Sequence, residues 1–182
     1  MAHGTRKKIM DAALIEFAEH GYASAKTKNI AEKSGLSEMT LFRRFKTKEN
    51  LFNQVLKENQ QNLVEDFNSI INEIEIENAD DFFKIMIKLL LNLTEDYFEF
   101  ISIIIYERQT VSEDIIADIM TYLTEIMDKI FQDSNIDSKV VVFNVLSFIY
   151  FIILDKKQGR TFVNHEEAIE KFISYSAIFL QQ

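Results

Sequence analysis

Between Thr27 and Lys48 the chain reads TKNIAEKSGLSEMTLFRRFKTK, and this stretch holds the side chains best suited to recognition chemistry. Thr27, Lys28, Glu38, Thr40, Arg43, Arg44, Lys46 and Lys48 supply hydrogen-bonding groups and cations within one short segment, with Phe42 among them. Polar side chains at the start of a helix can read base edges, while neighbouring cations neutralise phosphates. The chemistry on offer is the binding of a polyanion.

To present these groups the segment must fold as two short helices. Thr27 is a candidate N-cap for the first, whose Ile30 and Ala31 face inward, and Ser34-Gly35 supplies a break with a residue suited to positive φ. Ser37 then caps a second helix from Glu38 to Phe45, with Leu41 and Phe45 four apart on its inner face. Helix, tight turn, helix is the helix-turn-helix arrangement, and its second helix turns Glu38, Thr40, Arg43 and Arg44 outward with Phe42 at the flank. Charges that merely solvate an amphipathic face would look the same, so the helix pair alone leaves both readings open.

The region from Thr5 to about Leu56 resembles the N-terminal domain of TetR-family transcriptional regulators. The resemblance is carried by Ile9…Ala12-Ala13…Phe17…Gly21-Tyr22, by Thr27…Ile30-Ala31…Ser34-Gly35, and by Thr40-Leu41-Phe42-Arg43-Arg44-Phe45…Lys48-Glu49…Leu51-Phe52. It covers under a third of the chain. It implies an operator in double-stranded DNA, with Thr40, Arg44 and Lys48 at contact positions and the basic start of the first helix, Arg6, Lys7 or Lys8, near the backbone. Phe42 stands where many members carry a phosphate-binding tyrosine. It has no hydroxyl to donate, which leaves it an apolar contact such as a thymine methyl. Glu38 either accepts from a cytosine amino group or favours the positive end of its own helix.

Composition narrows the class. A chain of 182 residues can bury one generous core or two modest ones, and with no proline and glycine only at 4, 21, 35 and 159 it is expected to be all-α. No cysteine means no disulfide and no thiolate metal site, and no apolar leader is legible, so a cytoplasmic location is expected. The net charge of −9 divides unevenly: residues 1–60 hold 11 Lys and Arg against 7 Asp and Glu, whereas residues 61–182 hold 9 against 22. A basic front at +4 and an acidic remainder at −13 fit one end meeting phosphates and the other not. His3, His20 and His165 lack a second metal ligand at helical spacing, and there is no phosphate loop or nucleophile elbow. No catalytic residue, metal or cofactor is expected.

The remaining elements must carry this head. A first helix, Thr5 to Glu19, buries Ile9, Ala13 and Phe17, and Gly21 ends it. A fourth helix begins at the cap Thr47 and continues to about Glu75, roughly 40 Å at ~1.5 Å per residue. Its polar run Lys57–Asn62 has no apolar face, which sets the expected domains at 1–56 for the helix-turn-helix and 57–182 for a larger helical domain. A fifth helix follows Asn78-Ala79-Asp80-Asp81. A sixth, about Glu95 to Gln109, is apolar nearly all round and is expected at the centre, with Glu99 and Glu107 as exceptions. Ser112-Glu113-Asp114 opens a seventh helix, and the run Val140–Leu154 is too short for a membrane span and reads as a buried helix. Asn164 caps the last.

The family resemblance implies a homodimer through the last two helices, 138–156 and 165–181, and a ligand site in the second domain. Phe67, Phe83, Met86, Leu90, Tyr97, Phe100, Ile104, Phe148 and Phe151 are the candidate lining, although most aromatic stripes are simply core. The acidic domain favours a neutral or cationic small lipophilic molecule over acyl-CoA. The expected function is a repressor released from its operator by such a ligand. Alternatives are a ligand-independent DNA-binding adaptor and a helical lipid-binding protein or enzyme.

Overall fold

The structure is a computed structural model that describes residues 2–71, 79–107, 115–130, 137–160 and 162–180. Among them all regular structure is helical: α1 (Ala2–Ser24), α2 (Thr27–Ser34), α3 (Glu38–Phe45), α4 (Lys48–Ile71), α5 (Ala79–Asp96), α6 (Phe98–Tyr106), α7 (Ile115–Ile130), α8 (Ser138–Lys157) and α9 (His165–Leu180). The all-α expectation holds. The expected opening of the seventh helix at Ser112-Glu113-Asp114, residues 132–136, where a polar loop is expected, and Gln181 lie outside the described residues.

Two compact units form, Met1–Glu65 with Tyr97–Ile115, and Asp66–Asp96 with Ile116–Gln182. This division differs from 1–56 and 57–182 in two respects, both with a physical cause. The polar stretch of α4 is not a joint, because Arg6 of α1 pairs with Glu58 and donates to Gln54 Oε1 at 3.4 Å, and Leu63 beyond it is buried. The second cause is α6, which packs on α1 and so joins the first unit.

In the first unit the periodicity of α1 is realised as read: Ile9, Ala13 and Phe17 are buried. They meet Ile30 of α2, Leu41 and Phe45 of α3, and Leu51, Phe52 and Val55 of α4 in one apolar core. Phe17 meets Phe52 edge-on with ring centres 4.9 Å apart, and Tyr22 lies 4.8 Å from Phe52. Each such buried side chain contributes roughly 1.5–3 kcal/mol, which fixes the short helices α2 and α3 on the longer pair. Gly21 does break α1, with φ 72° and ψ 163°, but one further turn follows it, to Ser24. The all-round apolar sixth helix is shorter than expected, since Tyr97 separates it from α5. Phe100, Ile103 and Ile104 are buried, whereas Tyr106 is 69% exposed.

The second unit packs α5 on α8 and α9. Phe83, Met86, Ile87 and Leu90 of α5, Leu123 and Met127 of α7, and Val142, Val145 and Ile149 of α8 are buried. Asp137 caps α8, accepting from the N–H groups of Lys139 (3.0 Å) and Val140 (3.3 Å), and Asn164 caps α9 through the N–H of Glu167 at 3.2 Å. His165 Nε2 lies 2.9 Å from Asp155 Oδ2, and Phe148 stacks flat on Phe172 at 4.0 Å, tying α9 to α8.

The α8 helix is apolar on two faces. Val142, Val145, Ile149, Ile152 and Ile153 are buried, while Val140, Phe143 and Phe151 are exposed on another side at 53%, 59% and 65%. At 20 residues it is long and apolar enough to cross a membrane by composition, although 39% of its apolar window is already buried in the protein. The helix thus extends beyond the apolar Val140–Leu154 run at both ends, through Ser138 and Lys139 and through Asp155, Lys156 and Lys157.

Candidate nucleic-acid interface

The α2–α3 pair is aimed by its connections. Gly35 sits in the left-handed region at φ 69° and ψ 26°. Its N–H donates to Glu32 O at 3.1 Å and the N–H of Leu36 to Ala31 O at 3.0 Å, the paired bonds that close a helix with a glycine and turn the chain sharply. Ser37 then caps α3 as expected, its hydroxyl accepting the N–H of Thr40 at 3.2 Å. At the far end Lys46 adopts φ 66° and ψ −51°, and the N–H of Thr47 donates to Phe45 O at 2.8 Å across it. Positive φ at a residue with a side chain is strained, by about 1–3 kcal/mol. Buried Phe45 and the Asn50 amide, which donates to Phe45 O at 2.7 Å, hold the turn in place, and Lys46 is left exposed beside α3.

The predicted contact residues separate into two groups. Lys28, Phe42, Arg43, Arg44 and Lys46 are exposed, Phe42 at 40%. Thr27, Glu38, Thr40 and Lys48 are half-buried and bonded within the head. Thr27 does not cap α2: the cap position is Lys26, and the Thr27 hydroxyl donates instead to Glu38 Oε1. Thr40 Oγ1 lies 3.0 Å from Ser37 Oγ. The Lys48 ammonium donates to Ala25 O at 2.7 Å and Ala23 O at 3.2 Å and sits 4.9 Å from the centre of the Tyr22 ring, pinning the start of α4 to the α1–α2 connection. Arg6 is turned to Glu58 rather than outward, while Lys7 and Lys8 are exposed.

Sequence reasoning missed Glu16. It falls on the buried stripe of α1 and is itself fully buried, at 0% exposure. Its carboxylate accepts from Asn29 Nδ2 at 2.8 Å and the N–H of Lys26 at 3.3 Å, and pairs with Lys33 Nζ at 3.0 Å. Glu16 thus caps α2 from another helix, where a negative charge is favoured. The available signal was an acid one position before Phe17 on an otherwise apolar face. Contrary to the sequence expectation, His20 does have a carboxylate at helical spacing: Glu16, four residues earlier, Glu19 and His20 bring potential metal-ligand atoms within 4.8 Å of one another, but Lys33 already places its ammonium 3.0 Å from Glu16 and 2.6 Å from Glu19. The cluster reads as an ion-paired strut between α1 and α2.

Burial opposes the charge on Glu16, but the hydrogen bonds from Lys33, Asn29 and the Lys26 N–H, with the charge of Lys33, outweigh it and hold the carboxyl below its ordinary 4.5. A depressed folded pKa contributes stability that is present above the unfolded value and lost as pH falls through the folded one. Glu16→Gln is expected to destabilise the head by about 1–2 kcal/mol at neutral pH, the scale of a charge-assisted hydrogen bond. It should also remove part of the acid dependence below pH 4.5. Denaturant titrations of both proteins between pH 3 and 7, chosen to span about 1.5 units below that value, measure it; parallel pH curves would refute the role.

Residues 9–55 match the N-terminal domain of the family described as bacterial regulatory proteins, tetR family. This head is a TetR-family N-terminal domain. Over 58 residues it is 43% identical to YvkB of Bacillus subtilis (strain 168), described as an uncharacterized HTH-type transcriptional regulator, a match covering 32% of this chain and 31% of that one. Over 61 residues it is 36% identical to the HTH-type transcriptional repressor AcnR of Corynebacterium glutamicum, covering 34% of this chain and 32% of the relative. These matches thus span about a third of the relatives' length. The fold extends the likeness further: AibR, solved in complex with isovaleryl coenzyme A and operator DNA, superposes with a TM-score of 0.72 over 94% of this chain and 97% of its own, at 17% identity.

Beyond the TetR-family head, the candidate ligand residues scatter. Phe83, Met86 and Leu90 line one small cavity together with Ile87, Leu123, Met127, Val141, Val142, Val145 and Leu146, none of which was anticipated. Phe67 packs edge-on against Tyr122 at 5.6 Å, Phe148 stacks on Phe172, and Phe151 is exposed. Tyr97, Phe100 and Ile104 belong to the first unit. The cavity is about 20 Å³, and its lining is wholly apolar. Room for a single water takes roughly 10–15 Å³, so in this state the cavity accepts no more than a methyl-sized group.

Proposed function

We propose that this protein is a ligand-responsive transcriptional regulator that binds duplex DNA as a homodimer and is released, as a repressor, when a small lipophilic molecule enters its second unit. The observation that carries the reading is the outer face of α3, where Arg43, Arg44 and Lys46 stand exposed on a capped helix-turn-helix whose inner face is buried through Leu41 and Phe45. A helix of this width enters a major groove, with its first turn toward base edges and its cations toward phosphates. The bacterial family assignment and a DNA target together favour the cytoplasm. The proposed dimer contact is the exposed stripe of α8, with α9 beside it.

Arg43→Ala and Arg44→Ala are each expected to weaken binding to a selected operator about tenfold at fixed salt, within the roughly 1–3 kcal/mol range of a good arginine contact. Both side chains lie outside the core, so denaturant midpoints should stay unchanged. Fluorescence anisotropy on labelled duplex measures the affinity, and wild-type values for both variants would refute the interface.

A ligand that enters between α5, α7 and α8 must part them, because the apolar cavity among them is too small to admit one as it stands. The ligand then stabilises an expanded state, and repression ends if that state separates the heads from half-sites about one helical turn, roughly 34 Å, apart. The second reading is a DNA-binding protein that acts without a ligand. A screen in which every compound that raises the melting temperature leaves operator affinity unaltered would support that second reading against the first.

A further inference from the structure

The sequence points to Glu38 and Thr40 as the polar readers at the start of α3, but the structure engages both. The Glu38 carboxylate accepts the Thr27 hydroxyl, and the Thr40 hydroxyl lies 3.0 Å from that of Ser37, which also caps the Thr40 N–H. Between them Met39 projects with 81% of its surface exposed, more than any other large apolar residue of the first unit among those described. Phe42 follows three positions later and Arg43 four, the spacings that bring side chains to one face of a helix.

We propose that Met39, with Phe42 beside it, is the element of α3 that reads sequence, and that it reads the C5 methyl of thymine. This rests on the DNA-binding reading of the head. First-turn residues of a recognition helix face the floor of the major groove, and the residue presented there is a thioether. Its sulfur is only a weak acceptor and it has no donor, so it cannot distinguish the polar edges of bases. The one apolar feature of that floor is the thymine methyl. Exposed Arg43 and Lys46 flank the pair, which suits an apolar contact set within a polyanion rather than a docking protein. The operator half-site therefore carries thymine where the first turn of α3 meets the bases.

The test begins with selection of bound duplexes from a random pool by the purified full-length protein. Thymines of the selected half-site are then replaced one at a time by deoxyuridine, which removes the C5 methyl and nothing else. Wild-type affinity should fall about fourfold at each contacted thymine of a half-site, the transfer value of one buried methyl group. Met39→Ala should bind the thymine and uracil duplexes alike, whereas Arg43→Ala should weaken both and keep the preference between them. Wild-type indifference to uracil at every position overturns the proposal, as does a full methyl preference retained by Met39→Ala. If no duplex is enriched at all, the DNA-binding reading itself fails, an outcome distinct from an enriched sequence that ignores the methyl.

Discussion

Glutamate in place of both Phe143 and Phe151 is expected to split the proposed dimer into monomers and to lower its affinity for a selected operator at least about a hundredfold, the low end of the gain from linking two binding modules. Both rings lie on α8 and are exposed by 59% and 65%, while Val142, Val145 and Ile149 fill the core from another side of the same helix. An apolar stripe on an otherwise acidic unit suits the proposed dimer contact. In a symmetric dimer each ring is buried twice, so the double substitution removes four aromatic contacts and introduces four like charges. With central aromatic residues worth about 2 kcal/mol or more each, the dimer dissociation constant should rise by more than about three orders of magnitude. Sedimentation velocity reads the oligomeric state and anisotropy the affinity, with circular dichroism checking that the monomer keeps its helices. A dimer that survives the substitution would exclude this face of α8.

Alanine at Gly21 should destabilise the first unit by about 2–4 kcal/mol, from strain of about 1–3 kcal/mol plus one hydrogen bond near 1 kcal/mol. Gly21 combines φ 72° with ψ 163°, a region open almost only to glycine. A β-carbon there would also lie 2.5 Å from Glu107 Oε1, the oxygen that accepts the Tyr22 N–H at 2.9 Å and ties α6 to the end of α1. The carboxylate can swing away, so the close approach costs mainly that hydrogen bond, and the backbone strain remains. Comparing Gly21→Ala, Glu107→Ala and the double variant by denaturant unfolding separates the two: once Glu107→Ala has removed the hydrogen bond, Gly21→Ala should cost only the strain, so the double variant should match Gly21→Ala alone. A double variant as stable as Glu107→Ala would show that strain at Gly21 is negligible, and an unchanged midpoint for Gly21→Ala would refute the account entirely.

The head was legible because its signals are local. Ile9, Ala13 and Phe17 repeat along one helix face, Gly35 and Ser37 encode the turn between α2 and α3, and Leu41 and Phe45 mark the inner side of α3. Such spacing fixes which side of a helix is buried whatever it packs against, so the outward position of Arg43 and Arg44 followed from the sequence. Side-chain partners did not follow in the same way. Glu38 lies eleven residues from Thr27, Lys48 twenty-three from Ala25, and Glu107 eighty-five from Tyr22, and each contact exists only because separate helices converge. For that reason Lys48, assigned by resemblance to DNA, proves to be bonded within the head and Glu16 went unremarked, whereas Thr40 is engaged locally, by Ser37 three residues before it.

The second unit shows the same limit more strongly. Apolar residues on α5, α7 and α8 are so dense that periodicity cannot say which of them meet, and three of the nine candidate lining residues, Phe83, Met86 and Leu90, line the cavity found among the described residues. The sequence by itself determined that the chain is helical, that a helix-turn-helix lies near its front, and which side of α3 carries charge, because composition and local spacing settle those matters before any long-range contact forms. Only the tertiary structure decided that α6 packs on the head, that Glu16 caps α2, and which first-turn residue of α3 stands unencumbered. Those outcomes depend on which distant polar groups satisfy one another once the helices are packed, and a one-dimensional pattern does not record that.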